Sequence, residues 1–153
     1  MQIDSYTHQV SAVLISRVFL GMLFFFQGYD AVFRIKIPAV IESIRYPLAS
    51  HGIPLPMITL GAYYTSFIEL VGGGLLILGF LKYYVLYLLG FNLLLASYAM
   101  GVSRPLWDMQ FIFPRLLLLL FLLLAPSHWD MISADYLISY LKLKSIVLGG
   151  IFS

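Results

Sequence analysis

Four stretches of mostly apolar residues, roughly 11–33, 57–80, 83–102 and 106–126, dominate this chain. Each has the length a helix needs to cross a bilayer core, about 20 residues. A helix satisfies its own backbone hydrogen bonds, which the bilayer demands of any spanning segment. Composition agrees: of 153 residues, 61% are hydrophobic and 10% charged, and the mean hydropathy is +0.96. A soluble domain of this length needs far more polar surface. The expected fold is therefore all-α, an integral membrane four-helix bundle forming one transmembrane domain over residues 1–153. An even number of crossings places both termini on the same side.

The lipid bilayer is thus the first expected partner. The formal charge of +2 is spread along the chain, so no nucleic-acid surface is expected. The absence of cysteine removes thiol–disulfide exchange, iron–sulfur ligation and covalent c-type haem. His8, His51 and His128 fall outside the apolar runs, so neither a haem held between spans nor another metal site is expected. No lysine or arginine precedes the first run and no small-x-small site follows it, so the first span should be retained.

The turns "KYY" and "VSRP" are short, which makes spans two, three and four antiparallel neighbours. In the longer first connection, "IPAVIESIRYPL" sets Val40, Ile41 and Ile44 against Glu42 and Arg45. Pro38 suits a first helical turn and Tyr46-Pro47 should end it, giving a short interfacial helix. The tail, 131–153, contains "DYLISYLKLK" and reads as a short amphipathic segment. Orientation is not decided by basic residues: Lys82, Lys142 and Lys144 face Arg34, Lys36, Arg45 and Arg104.

Within "SFIELVGGGLLILGF", Glu69 stands in a span with no cation within ten residues on either side. A lone carboxylate in hydrocarbon costs about 3 kcal/mol on insertion scales. Counted at ~1.5 Å per residue from the side of the termini, Glu69 and Arg115 both lie about 16 Å deep, Asn92 about 14 Å and Arg17 about 9 Å. Arg17 can snorkel inward. These four residues form an expected buried charge layer and candidate ligand site, with Glu69 facing Arg115, Arg17 or both. Thr65, Ser66, Gly72 and Gly73 share the Glu69 face, and Gly21 and Gly28 follow Arg17, so close helix approach is expected. Pro114 should loosen the ladder beside Arg115 and free the Gln110 carbonyl. A second polar layer, Gln27, Asp30, Asp108 and Gln110, comes out about 24–28 Å deep. With His51 and Arg104 in adjoining loops, it suggests a cavity open to the far face.

Each feature also has a plainer reading. The Glu–Arg layer can serve only to specify helix pairing. The Gly72–Gly74 run reads as packing, Asn92 as a bond between helices, and Tyr83, Tyr84, Tyr87 and Trp107 as interfacial anchors. Asp108 is equally suited to capping the fourth span. His51 and His128 read as ordinary loop residues.

Taken together, "SRVFLGMLFFFQGYDAVF" and "IELVGGGLLILGF" resemble the DoxX family of small four-span membrane proteins, over roughly residues 13–126. Arg17, Gly21 and Gly28 stand where that family tends to have arginine and glycines. Gln27 and Ala31 stand where it often has histidine and lysine, so no role of that pair carries over. The resemblance implies a redox-associated membrane role. Relatives include the quinone-reducing membrane subunit of thiosulfate oxidation and subunits linked to thiol or oxidative-stress systems.

Two functions follow as expectations. In one, the chain binds a quinone as its possible cofactor, with Arg17 and Arg115 holding the head group and Glu69 relaying a proton. In the other it is a non-catalytic accessory subunit among other membrane proteins. A small-anion or proton pathway is a third. An apolar groove between spans one and four favours the first; a large exposed flat face favours the second. The expected location is the bacterial inner membrane, as a multi-pass protein. Its catalytic residues are not identified by sequence.

Overall fold

The structure, a computed structural model, describes residues 2–103 and 110–149. Among them every regular element is helical: α1 (Gln2–Tyr29), continued by a π-helical turn (Asp30–Arg34), α2 (Ile37–Ser50), α3 (Leu55–Leu78), α4 (Lys82–Ser103), α5 (Phe113–Leu124), a 3₁₀ turn (Ser127–Trp129) and α6 (Ala134–Gly149). Three helices are long and apolar enough to cross a membrane: the α1 run from Ser5 to Arg34, α3 and α4. The all-helical membrane bundle expected from the apolar runs is therefore what the chain forms.

The fourth expected span needs correction. Residues 104–109 lie outside the described residues, and Gln110–Ile112 form a turn before α5 begins at Phe113. At 12 residues, α5 is about 18 Å long, against the ~30 Å of a bilayer core. Pro114 sits in its first turn, where the missing N–H costs nothing. It starts this helix instead of loosening it.

The first connection also differs from expectation. Pro47 lies inside α2, which runs on to Ser50. Only one turn follows the proline. That turn is closed by the amides of His51 and Ile53, both donating to the Leu48 carbonyl at 3.2 Å, so little is lost at Pro47.

The core is aliphatic. Val13, Leu20 and Phe24 of α1 meet Leu76 of α3, Val85, Leu86, Leu89 and Leu93 of α4, and Leu119 and Leu122 of α5. The seam between α1 and α3 is the closest. A methyl on Gly28 would run into the Leu70 and Glu69 backbone, and one on Gly73 into the backbone of Phe25 and Gly21. Contact at backbone distance replaces side-chain packing there, as small residues permit in membranes. The two helices run antiparallel, so α1 rises past Gly79, then Ile77, then Gly73, and reaches Glu69 at Gly28.

The tail forms α6, longer than the "DYLISYLKLK" stretch alone. Its residues 136–144 are exposed on every side, including Tyr136, Leu137, Ile138, Tyr140, Leu141 and Leu143.

Candidate functional site

The four residues expected in one charge layer fall into two separate clusters. The first centres on Glu69, on α3 and 5% exposed. Its Oε1 accepts from Asn92 Nδ2 of α4 at 2.8 Å and from Gln27 Nε2 of α1 at 3.0 Å. Gln27 turns its own Oε1 outward, where it accepts from Arg115 Nη1 of α5. The half-buried guanidinium of Arg115 also lies 5.7 Å from the centre of the Phe24 ring. Four helices thus contribute one side chain each to a linear network, Asn92–Glu69–Gln27–Arg115.

The expected ion pair is absent. Glu69 contacts neither arginine within salt-bridge distance; two neutral amides donate to its carboxyl group instead. Matching depths are the reason that expectation went astray. Equal depth says nothing about which helix stands between two groups, and α1 inserts Gln27 between Glu69 and Arg115. The same insertion moves Gln27 out of its expected second layer. Asp30 instead pairs with Arg34 at 3.0 Å on the surface, Gln110 is exposed in its turn, and Asp108, with Arg104 and Trp107, lies outside the described residues. Sequence reading placed Gln27 in the wrong layer for want of one observation: Gly28 beside it is what brings α1 onto the Glu69 backbone.

The second cluster holds Arg17, ten residues before Gln27 on α1 and about 15 Å away along the helix. Arg17 is 1% exposed. Nη1 donates to the carbonyls of Leu76 and Ile77, both at 3.0 Å, and Nη2 to that of Ile132 at 2.5 Å. Leu76 and Ile77 lie in the last turn of α3, where Leu76 also accepts from the Gly79 amide at 3.1 Å, and Ile132 lies just before α6. Nε stands 3.3 Å from Asp130 Oδ1, and Lys82 Nζ stands 3.3 Å from Asp130 Oδ2. Gly79 ends α3 with a φ of +70°, and the Arg17 guanidinium lies where its side chain would be. Asp135 closes the corner, accepting from the backbone amides of Leu81 and Lys82 at 2.9 and 3.0 Å.

Asp130 went unnoticed as the shared partner of Arg17 and Lys82 because an acid in a loop looks ordinary. A signal existed. At its shallow depth Arg17 is nearer the loop after α5 than the midplane acid.

Two cavities occur at this end of the bundle. One, of about 490 Å³, lies between α1 and the end of α5, lined by Ser5, His8, Gln9, Ala12, Phe121 and Trp129. The other, of about 360 Å³, opens on Lys82 and Asp130. Among the described residues no group of histidines and acids is placed to hold a metal.

The sequence profile of the family described as DoxX matches residues 12–101. None of the curated proteins or solved structures compared with the chain matches it. The chain belongs to the DoxX family.

Proposed function

We propose that this DoxX-family membrane protein is a redox-associated component that binds a quinone on its α1–α5 seam, with Arg115 as the group that meets the head. The observation that carries this reading is the position of Arg115. It is the half-buried outer end of a hydrogen-bonded network whose inner end is a buried acid. A guanidinium has five donor N–H groups in a fixed fork, and Gln27 uses only one nitrogen. The others remain for a quinone carbonyl or the anionic oxygen of a reduced quinone. The groove of about 490 Å³ lined by Ser5, His8, Gln9, Ala12, Phe121 and Trp129 lies on the same seam but toward the other end of α1. Ala12 and Gln27 are about 22 Å apart along the helix, so a ring held at Arg115 lies outside that groove.

Gln27 limits the chemistry. An amide between the acid and the guanidinium orients both but does not itself carry a proton, so the network supports binding and charge stabilisation more than proton relay. Reduction of a quinone takes two electrons and two protons. Without cysteine the chain has no thiol or iron–sulfur centre to supply the electrons, so they come from a reductant on a partner subunit. Such a component belongs in a quinone-containing membrane, of which the bacterial inner membrane is the expected one.

A second reading, a non-catalytic accessory subunit, is favoured by α6. Residues 136–144 bury none of their apolar side chains fully, the exposures running from 41% at Tyr136 to 64% at Leu143, which suits a helix that packs on a neighbour. One experiment separates the two. Protein purified in mild detergent is extracted and its quinone content measured. Quinone at a stoichiometry near that of the protein, lost in Arg115→Gln, supports the first reading. Protein partners without quinone support the second.

A further inference from the structure

We infer that Glu69 and Asn92 hold a proton between them: the buried acid of α3 is a carboxylic acid whose O–H donates to the Asn92 side-chain carbonyl of α4, whatever Arg115 binds. Three observations meet at this pair. Both hydrogen bonds that Glu69 accepts end on Oε1, from Asn92 at 2.8 Å and from Gln27 at 3.0 Å. Among the described residues nothing is bonded to Oε2. Asn92 is 1% exposed, and its Oδ1 is buried with no hydrogen-bond partner. That oxygen shares its amide carbon with the Nδ2 that meets Glu69, so it lies beside the carboxyl group.

Buried polar atoms are almost always paired, and what is missing here is a donor. A proton on Oε2 supplies it. A protonated carboxyl group has one O–H to give and keeps acceptor capacity on its other oxygen, which matches the acceptor and donor of a primary amide. Turning the Asn92 amide over leaves the same need, because Oδ1 would then face Oε1, and two acceptors meet only through a proton. An ionised carboxylate is poorly provided for at this place. The charged groups on the surrounding elements are engaged or distant: Arg115 of α5 bonds to Gln27, Asp30 pairs with Arg34, Glu42 with Arg45 and Lys82 with Asp130. Lys36 is exposed, and the Tyr64 hydroxyl donates to the Leu88 carbonyl at 3.3 Å. Arg17 lies about 15 Å from Gln27 along α1. A carboxylate buried in an apolar interior without a cation takes up a proton instead. With Glu69 neutral, Arg115 has no anion in its network among the described residues, and the outer end of the network carries a net positive charge.

The test is infrared spectroscopy of the full chain in detergent at neutral pH, where exposed carboxyl groups are ionised. The carbonyl stretch of a protonated carboxyl group is read in the parent, in Glu69→Gln and in Asn92→Leu. The proposal predicts one such band in the parent, lost in Glu69→Gln and moved to higher frequency in Asn92→Leu, since a carbonyl freed of a hydrogen bond stretches faster. Where Asn92→Leu does not fold, the parent band decides the pairing: a hydrogen-bonded acid absorbs at the low end of the carboxyl range and an unbonded one at the high end. No difference between the parent and Glu69→Gln overturns the proposal, because Glu69 is then ionised and a water, not a proton, joins Oε2 to Asn92. A band that stays in place in folded Asn92→Leu, or that stands at the high end in the parent, overturns the pairing.

Discussion

The side-chain amide of Gln27 donates to Glu69 at 3.0 Å, so the buried acid of α3 is held from α1 by a neutral group. Asn92 does the same from α4 at 2.8 Å, on the same oxygen. An acid in hydrocarbon can be retained in two ways, against a cation or inside a shell of donors. This chain uses the shell, and Arg115 completes it from one residue further out, through Gln27.

The shell makes a prediction that a direct ion pair would not. An amide oxygen can accept the same two bonds, so Glu69→Gln should change stability by no more than about 1 kcal/mol. Glu69→Leu removes the acceptor and leaves the buried amide of Asn92 unpaired, which costs about 1–3 kcal/mol; Gln27 is exposed and adds less. Melting of the two variants in one detergent compares them. A Glu69→Gln protein as damaged as Glu69→Leu would mean that the negative charge itself holds the bundle together.

Asp130 is expected to matter far more than its place in a loop suggests. Asp130→Asn leaves Arg17 and Lys82 buried without a carboxylate, and breaking a buried pair from one side costs about 3–5 kcal/mol. Asp30→Asn, which breaks the exposed pair with Arg34, should cost about 1 kcal/mol or less. Equal losses in a thermal melt would show that the Arg17 cluster is not the clasp of the loop end.

Two glycines separate packing from mere flexibility. Gly28→Ala forces a methyl into the Leu70 backbone and should cost at least about 1–3 kcal/mol, with loss of folded protein. Gly61→Ala, which meets open space on α3, should be neutral or stabilising by roughly 0.5–1 kcal/mol. Folded yield by size-exclusion chromatography reads both. A well-folded Gly28→Ala protein would contradict the backbone contact of α1 with α3.

Much of this was legible in the sequence for physical reasons that can be named. Long apolar runs predict spanning helices because nothing else satisfies the backbone in lipid. The stripe of small residues around Glu69 and Gly73 predicts a close neighbour, and Asn92 reads correctly as a bond between helices. What depth counting could not supply is azimuth. Arg17 and Glu69 share neither level nor contact, because α1 begins at Gln2 and passes the end of α3 at Arg17. Asp130 lies beyond the last apolar run, where an acid carries no sign of burial until the loop folds back under α1. Tyr6 shows that return directly, donating to the carbonyl of His128 at 2.8 Å. Pro47 and Pro114 misled in opposite ways, since a proline's effect depends on how many turns precede and follow it.

The central claim, that Arg115 meets a quinone at the outer end of the Glu69 network, is tested most directly by binding of a short-chain ubiquinone analogue to the purified protein. Binding to the parent protein and to Arg115→Gln is titrated, with the melting temperature of each recorded without ligand. The account predicts saturable binding to the parent and at least a tenfold weaker association in Arg115→Gln, with the variant still folded. A folded Arg115→Gln protein that binds the analogue as the parent does, or a parent protein that shows no saturable binding, would contradict it.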